Sequence, residues 1–259
     1  MNIRSVTAPN PGPFTLDGTR TYLLGETAVI DPGPAIDSHV EAIRAAMPRL
    51  RTILITHRHA DHAPAAVPLK SATGARIIAP PGVFDAVDQR VDGGELIDVD
   101  GQSIEVIPTP GHTYEHVCYF SSDGDLFTGD TVLGAGTTTI FPPDGNMRDY
   151  VESLRRLRAL NPRRIFPAHG PVREDAVALL DEYIAHRLER ERQVLNALRS
   201  GRKTIADLRA LIYPDLSREL RAAAEFQVKA HLEKLAAERR VKRSDGQYEL
   251  VTSITDQAG

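Results

Sequence analysis

Residues 52–62, TILITHRHADH, place four side chains that bind protons or metal ions within six positions: His57, His59, Asp61 and His62. They follow directly on the apolar run Ile53-Leu54-Ile55. A buried strand therefore ends where groups that prefer water or a metal begin. Two histidines at i and i+2 past a strand end can put both imidazoles on one ion. Asp61 and His62, where the chain turns toward a helix, can reach a second ion, and zinc accepts such nitrogen and carboxylate donors. Three later apolar segments end in the same way: His112 in TPGHT, Asp130 in LFTGD and His169 in FPAHG, each beside a glycine. Singly, these fit a turn histidine, a helix cap and a surface loop. Together the seven residues are the number that two ions sharing one carboxylate require. Two ions about 3.5–4 Å apart can hold a hydroxide, polarise a carbonyl or phosphoryl oxygen and stabilise the leaving oxygen, so the pattern points to hydrolysis. Asp61 is the natural proton acceptor, because a carboxylate can touch metal and water together. No serine or cysteine nucleophile is required, and Cys118 lies in an apolar strand pattern that suits the core.

Positioning these groups calls for a scaffold of many short strands. The candidates are TYLLG, AVIDPG, TILIT, ARIIAP, SIEVIPTP, HVCYF, DLFTGD and RRIFPAHG. Helical spacing of apolar residues appears over Ile36 to Met47, Ala63 to Ala72 and Tyr150 to Leu160. Strands with interspersed helices predict an α/β sandwich up to about residue 180. Beyond it the pattern changes. A long charged amphipathic helix ends at Gly201, two shorter helices follow over Ile205 to Ile212 and Ser217 to Glu238, and Asp245-Gly246 centres a hairpin. Helices followed by a hairpin outline a winged helix. The predicted division is thus a catalytic sandwich over 1–180 and a linking helix with winged helix over 181–259.

Composition narrows the function classes. The chain has 259 residues, 41% hydrophobic and 25% charged, ordinary values for a globular protein. No apolar run approaches the ~20 residues of a membrane helix. The N-terminal segment lacks the apolar stretch of a secretory signal, and a single cysteine fits a reducing compartment, so the expected location is cytoplasmic. The net charge of −4 is unevenly spread. Residues 183–259 carry 15 Lys and Arg against 11 Asp and Glu, and the preceding 182 carry 16 against 24. A basic module on an acidic one hints weakly at a polyanionic partner.

With HxHxDH, a later His, a later Asp and a last His, the chain resembles the metallo-β-lactamase superfamily. Within it, the resemblance is nearest to the β-lactamase-like protein 2 family. The segments that carry this are NPGPFTLDGTRTYLLG, GDTVLGAGTTTIFPPDGNMRDYVESLRRL, YIAHRLERERQVLNAL with its His186-Arg187 pair, and the terminal winged helix. The resemblance implies an αββα sandwich with two divalent ions, zinc foremost, at one edge. It implies that His57, His59 and His112 hold the first ion, Asp61, His62 and His169 the second, and that Asp130 bridges them.

The resemblance also implies a substrate, and three readings compete. A phosphodiesterase acting on single-stranded RNA is slightly preferred. An ester or thioester hydrolase, for an acyl-carrier or glutathione-type thioester, a lactone or a β-lactam, is the alternative. A non-enzymatic DNA-binding sensor is a third, disfavoured because all seven ligands are present. Other residues have two roles open. His116 is either a substrate donor or a structural histidine. His186 and Arg187 either hold an anionic group or pair on a charged helix surface. Thr138 is expected in a polar cleft wall, and Asp31 in VIDPGP as a partner of the ligating histidines. A homodimer is a further possibility.

Overall fold

The structure, a computed structural model, describes residues 1–251. Strands β1 (Ile3–Thr7), β2 (Arg20–Leu24), β3 (Ala28–Ile30), β4 (Thr52–Leu54), β5 (Arg76–Ala79) and β6 (Gln89–Arg90) form one sheet in that order. Strands β7 (Leu96–Val99), β8 (Gln102–Pro108), β9 (Val117–Ser121), β10 (Asp125–Gly129) and β11 (Arg164–Pro167) form a second, ordered β11-β10-β9-β8-β7. Helices α1 (Asp37–Ala46) and α2 (Ala66–Thr73) belong to the first half. Helices α3 (Met147–Ala159) and α4 (Ala176–Leu198) belong to the second, and α5 (Ile205–Ile212) and α6 (Arg221–Ala237) follow. The chain closes with the hairpin β12 (Val241–Ser244) and β13 (Gln247–Leu250).

The two-residue period of the strands builds the layers. On β2, β3 and β4, Tyr22, Ile30 and Leu54 face the second sheet, among Val106, Tyr119, Phe127 and Phe166. Their neighbours Leu23, Val29 and Ile53 face the other way, against Ile43 of α1 and Leu69 of α2. The second sheet does the same: Cys118, Leu126 and Ile165 pack on Tyr150 and Leu154 of α3 and Leu180 of α4. Alternate residues buried on both sides give the predicted four-layer αββα sandwich. A separate cluster of Val194, Leu208, Val228, Leu232, Val241 and Tyr248 is the core of the winged helix.

Several boundaries differ from the sequence pattern. Helix α2 starts at Ala66 rather than Ala63, because His62 and Ala63 both donate to the His59 carbonyl in a tight turn. Helix α3 starts early, at Met147, where the Asn146 side chain accepts from the amides of Arg148 and Asp149. Helix α4 begins at Ala176, so the expected division at 180–181 falls inside one continuous helix. The expected Ser217–Glu238 helix opens with a 3₁₀ turn over Arg218–Leu220, and α6 proper begins at Arg221. At Asp245-Gly246 both residues have positive φ, 51° and 76°, as the two-residue hairpin requires.

Candidate metal centre

Every candidate ligand lies just past the C-terminal end of a strand. His57–His62 follow β4, His112 follows β8, Asp130 follows β10 and His169 follows β11. Hydrogen bonds across the two sheets draw these ends together. Tyr22 Oη donates to the Pro167 carbonyl at 2.7 Å, and Tyr119 Oη to that of Ile55 at 2.8 Å. Asp130 depends on Gly129, whose φ is +48°. A Cβ there would lie 2.5 Å from Thr56 Oγ1 and 2.8 Å from His116 Nε2, so only glycine lets the strand end close on the histidine loop.

The seven side chains converge as two groups. The donor atoms of His57, His59, His112 and Asp130 lie within 4.8 Å of one another, and so do those of Asp61, His62 and His169. One carboxylate joins the groups. Asp130 Oδ2 is 3.6 Å from His112 Nε2, whereas Oδ1 is 3.4 Å from His62 Nε2 and 3.2 Å from His169 Nε2. Asp61 Oδ2 stands 3.6 Å from His62 Nε2 and 3.3 Å from His169 Nε2. His59 Nδ1 and His112 Nε2 are 3.2 Å apart. A tetrahedron with metal–ligand bonds of ~2.0–2.1 Å has edges of about 3.4 Å, so these separations suit ligands around an ion. Four buried atoms of the cluster, His57 Nε2, His62 Nε2, Asp130 Oδ1 and His169 Nε2, have no conventional hydrogen-bond partner. Buried polar atoms without partners are costly in a folded protein, and these four are all ligand atoms of the two groups. The residues fit two divalent ions.

The far sides of three of these imidazoles are fixed. Thr56 Oγ1 holds His57 Nδ1 at 3.0 Å, Asp31 holds His62 Nδ1 at 2.9 Å, and the Gly18 carbonyl faces His169 Nδ1 at 3.3 Å. Asp31 also accepts from Thr56 N and Thr56 Oγ1, both at 2.8 Å. It therefore buttresses the ligand loop, the role anticipated for it, from a left-handed backbone (φ 48°) that Asp tolerates better than most residues.

Charge divides the two groups. Burial drives His57 and His59 toward the neutral form, with His62 adding to it, and brings His112 down to about 4. Burial also opposes a proton on His62 and His169. There the carboxylates of Asp130 and Asp61 outweigh it, raising His62 well above its usual value and His169 to about 9. The same pairs hold Asp130 and Asp61 below the ordinary carboxylate range despite their burial. In a metal-free preparation at pH 7 the first group offers free nitrogen lone pairs. In the second, two protons must leave before the histidines can ligate. Calorimetric titration in buffers of different ionisation enthalpy should show up to two protons released per chain, all with one of the two ions. That ion's affinity should rise with pH toward about 9. Proton release shared equally by both ions would contradict this charge division. The linkage has a second consequence. A folded value of His169 above the unfolded one stabilises the metal-free fold fully below about 6.5, and that contribution disappears as pH rises through 9.

Three expected substrate residues are placed elsewhere. His116 is 1% exposed, behind the ligands; its Nδ1 meets Thr109 Oγ1 at 2.9 Å, and its Nε2 accepts from the Asp130 amide at 3.3 Å. It is the structural histidine, not a substrate donor. Arg187 is 2% exposed and spends its guanidinium on the Thr138 carbonyl and Gln227 Oε1, at 2.6 and 3.0 Å. His186 lies on α4 with Nε2 accepting from Arg190 at 3.4 Å, and does not line the cleft. Thr138 does line it, but its hydroxyl donates inward to the carbonyls of Asp130 and Thr131. A helix of charged residues looks alike from sequence whether its arginine is buried or free, so Arg187 carried no signal of its burial.

Sequence reasoning missed two features. Arg58, between the first two histidines, pairs with Glu115 and Asp144, and Glu115 also accepts from the Arg58 amide at 3.1 Å. These partners come from distant loops, and nothing local announced them. The other feature is the apolar lining of the cleft, which has about 410 Å³ of free volume beside His59, Asp61, His112 and Asp130. Its walls are mostly apolar: Phe14 and Leu16 from the N-terminal loop, Leu133 and Phe141 from the segment after Asp130, and Leu220 and Ala223 before and within α6. A phenylalanine in the Pro- and Gly-rich stretch NPGPF was the one available clue.

Comparison with known proteins agrees with the fold and the division into sandwich and winged helix. The model of the metallo-beta-lactamase superfamily matches residues 15–86 and 79–169, and that of the beta-lactamase associated winged helix domain matches 204–248. A beta-lactamase-like protein 2 homolog of Caenorhabditis elegans is 35% identical over 245 residues, covering 87% of this chain and 81% of its own. An atrochrysone carboxyl ACP thioesterase of Aspergillus novofumigatus is 31% identical, covering 81% and 70%. The crystal structure of a beta-lactamase domain protein from Burkholderia ambifaria superposes with a TM-score of 0.84 at 21% identity, over 96% of this chain and 91% of that one. With the sandwich and the winged helix both matched and a relative 35% identical over most of its length, the chain belongs to the metallo-β-lactamase superfamily of metal-dependent hydrolases, alongside the β-lactamase-like protein 2 homologues.

Proposed function

We propose that this chain hydrolyses a thioester or ester with an apolar acyl group, using two zinc ions. The observation that carries this is the cleft lining: Phe14, Leu16, Leu133, Phe141 and Leu220 border the ligand cluster, and among the described residues no lysine or arginine lines the cleft. A pocket of this size with apolar walls and a few convergent polar groups suits a small organic substrate. The related fungal protein named as an acyl-carrier thioesterase adds support. Bound divalent ions supply Lewis acidity and lower the pKa of water. The protein supplies the rest. The apolar walls bind the acyl chain and exclude water around it. Asp61 is 28% exposed, against 13% for Asp130, so of the two carboxylates that line the cleft it is the more accessible. It takes the proton of the attacking water. The set of five histidines and two aspartates without cysteine suits zinc, and metal analysis of protein from metal-replete medium checks that choice.

The reading preferred from sequence, single-stranded RNA, has weaker support. The cations of the wing, the part of the basic module suited to phosphates, have other partners: Arg240 meets Glu191 and Glu238, Lys242 meets Glu249, and Arg243 lies over Tyr248. One feature keeps RNA as the second reading. Phe14, Phe141 and Phe226 form a row at the cleft mouth, with ring centroids 6.2 and 5.2 Å apart, and aromatic rings also stack bases. The test compares metal-loaded protein on thioesters of rising acyl length, on single-stranded RNA and on a β-lactam. For an acyl pocket, kcat/KM should climb roughly fourfold per added methylene while the chain still fits, the equivalent of ~0.8 kcal/mol per buried CH₂. Phe141→Ala should flatten the series. Indifference to chain length, beside efficient RNA cleavage, would transfer the proposal to RNA.

A further inference from the structure

Three consecutive carbonyls in the cleft wall have three different partners. Thr138 O accepts from Arg187 Nη2 at 2.6 Å, Thr139 O faces His112 Nδ1 at 3.1 Å, and Ile140 O accepts from Gln227 Nε2 at 3.1 Å. Arg187 and Gln227 are themselves joined, Nη1 to Oε1, at 3.0 Å. Arg187 stands on α4 and Gln227 on α6. Since a carbonyl can only accept, His112 Nδ1 carries the proton in this contact, and Nε2 is left bare toward Asp130 and His59.

We propose that Arg187 and Gln227 are positioning residues for the metal centre: a clamp from the C-terminal helices that fixes the Thr139 carbonyl and, through it, the tautomer and orientation of His112. The carbonyls on both sides of Thr139 are held, so its own peptide has little room to rotate. The guanidinium suits this task because its planar fork reaches two acceptors at once. Its burial is otherwise hard to explain. Arg187 hydrogen-bonds two neutral oxygens and lies 5.1 Å from the Tyr150 ring, with no carboxylate bound to it among the described residues. An unpaired buried cation opposes stability, so an apolar residue would serve better if packing alone were needed. The basic C-terminal part thus acts on the site through backbone geometry rather than by touching substrate.

The inference rests on His112 being a ligand of one ion, and the experiment separates the two claims. Zinc stoichiometry and both affinities are measured on the full chain by competition with a chromophoric chelator, for wild type, His112→Ala, Arg187→Met and Gln227→Met. Loss of a histidine's outer partner commonly weakens metal binding about 10–100-fold. Arg187→Met and Gln227→Met should each weaken, within that range, the same ion that His112→Ala loses, and leave the other at its wild-type affinity. A mere brace would lower the melting temperature and leave both affinities intact. Wild-type affinities in both methionine variants, with one ion lost in His112→Ala, would overturn the clamp alone. Two ions retained by His112→Ala would overturn the ligand assignment and the clamp with it. Should Arg187→Met fail to fold, Gln227→Met decides the matter, because it keeps the side-chain volume and removes one donor and one acceptor.

Discussion

Asp61→Asn is expected to lower kcat by about a thousandfold, within the 10²–10⁴ range that positioned proton transfer contributes. Asparagine keeps the shape and one oxygen beside His62 and His169, but cannot take a proton. In the metal-free cluster burial pushes its pKa up, and the His62 charge with the His169 hydrogen bond pulls it below the usual value; once those histidines ligate, the positive charge of the ions would take over that role. It is therefore ready to accept a proton across the neutral range. KM should change little, because the apolar walls that bind the acyl group are untouched. The check is a kinetic comparison at matched metal content, since Asp61 also sits among the donor atoms. A kcat within tenfold of wild type, with two ions bound, would remove Asp61 as the base.

Metal removal carries the second large effect. Dialysis against a chelator should abolish hydrolysis, and zinc should restore it. The loss should reach stability as well, because the ions bind the folded cluster and not the unfolded chain. Each ion at 100 times its Kd adds about 2.7 kcal/mol. For a domain of this size, at 2–4 °C per kcal/mol, that is roughly 5–11 °C in Tm per ion. Thermal denaturation with and without zinc measures it. Equal Tm values, or undiminished turnover in the chelator, would end the metal-dependent account.

The site was legible in the sequence because its chemistry is carried by residue type and local spacing. Three histidines and an aspartate after Ile53-Leu54-Ile55 have few other uses, and glycines beside His112, Asp130 and His169 mark chain turns at strand ends. The alternation of Leu23 with Tyr22 and of Ile53 with Leu54 likewise announces strands buried on both faces. What stayed hidden depends on residues far apart in the chain. The walls of the cleft meet from Phe14, Phe141 and Leu220, and no local pattern states that three such residues share a space. Arg187 looked like one of many charges on a surface helix, and only the packing of α6 against α3 and α4 buries it. The basic wing suggested a polyanion, but charge counts do not reveal that Arg240 and Lys242 are already paired.

Helix α4 is continuous, with Leu180 and Tyr183 in the sandwich core and Val194 and Leu198 in that of the winged helix. A helix propagates cooperatively once formed, so its two ends are a single hydrogen-bonded ladder. The wing therefore cannot open as an independent foldon. Hydrogen exchange in α6 should slow in step with exchange in α3 when zinc is added, although α6 contributes no ligand, because both helices pack on the same ladder.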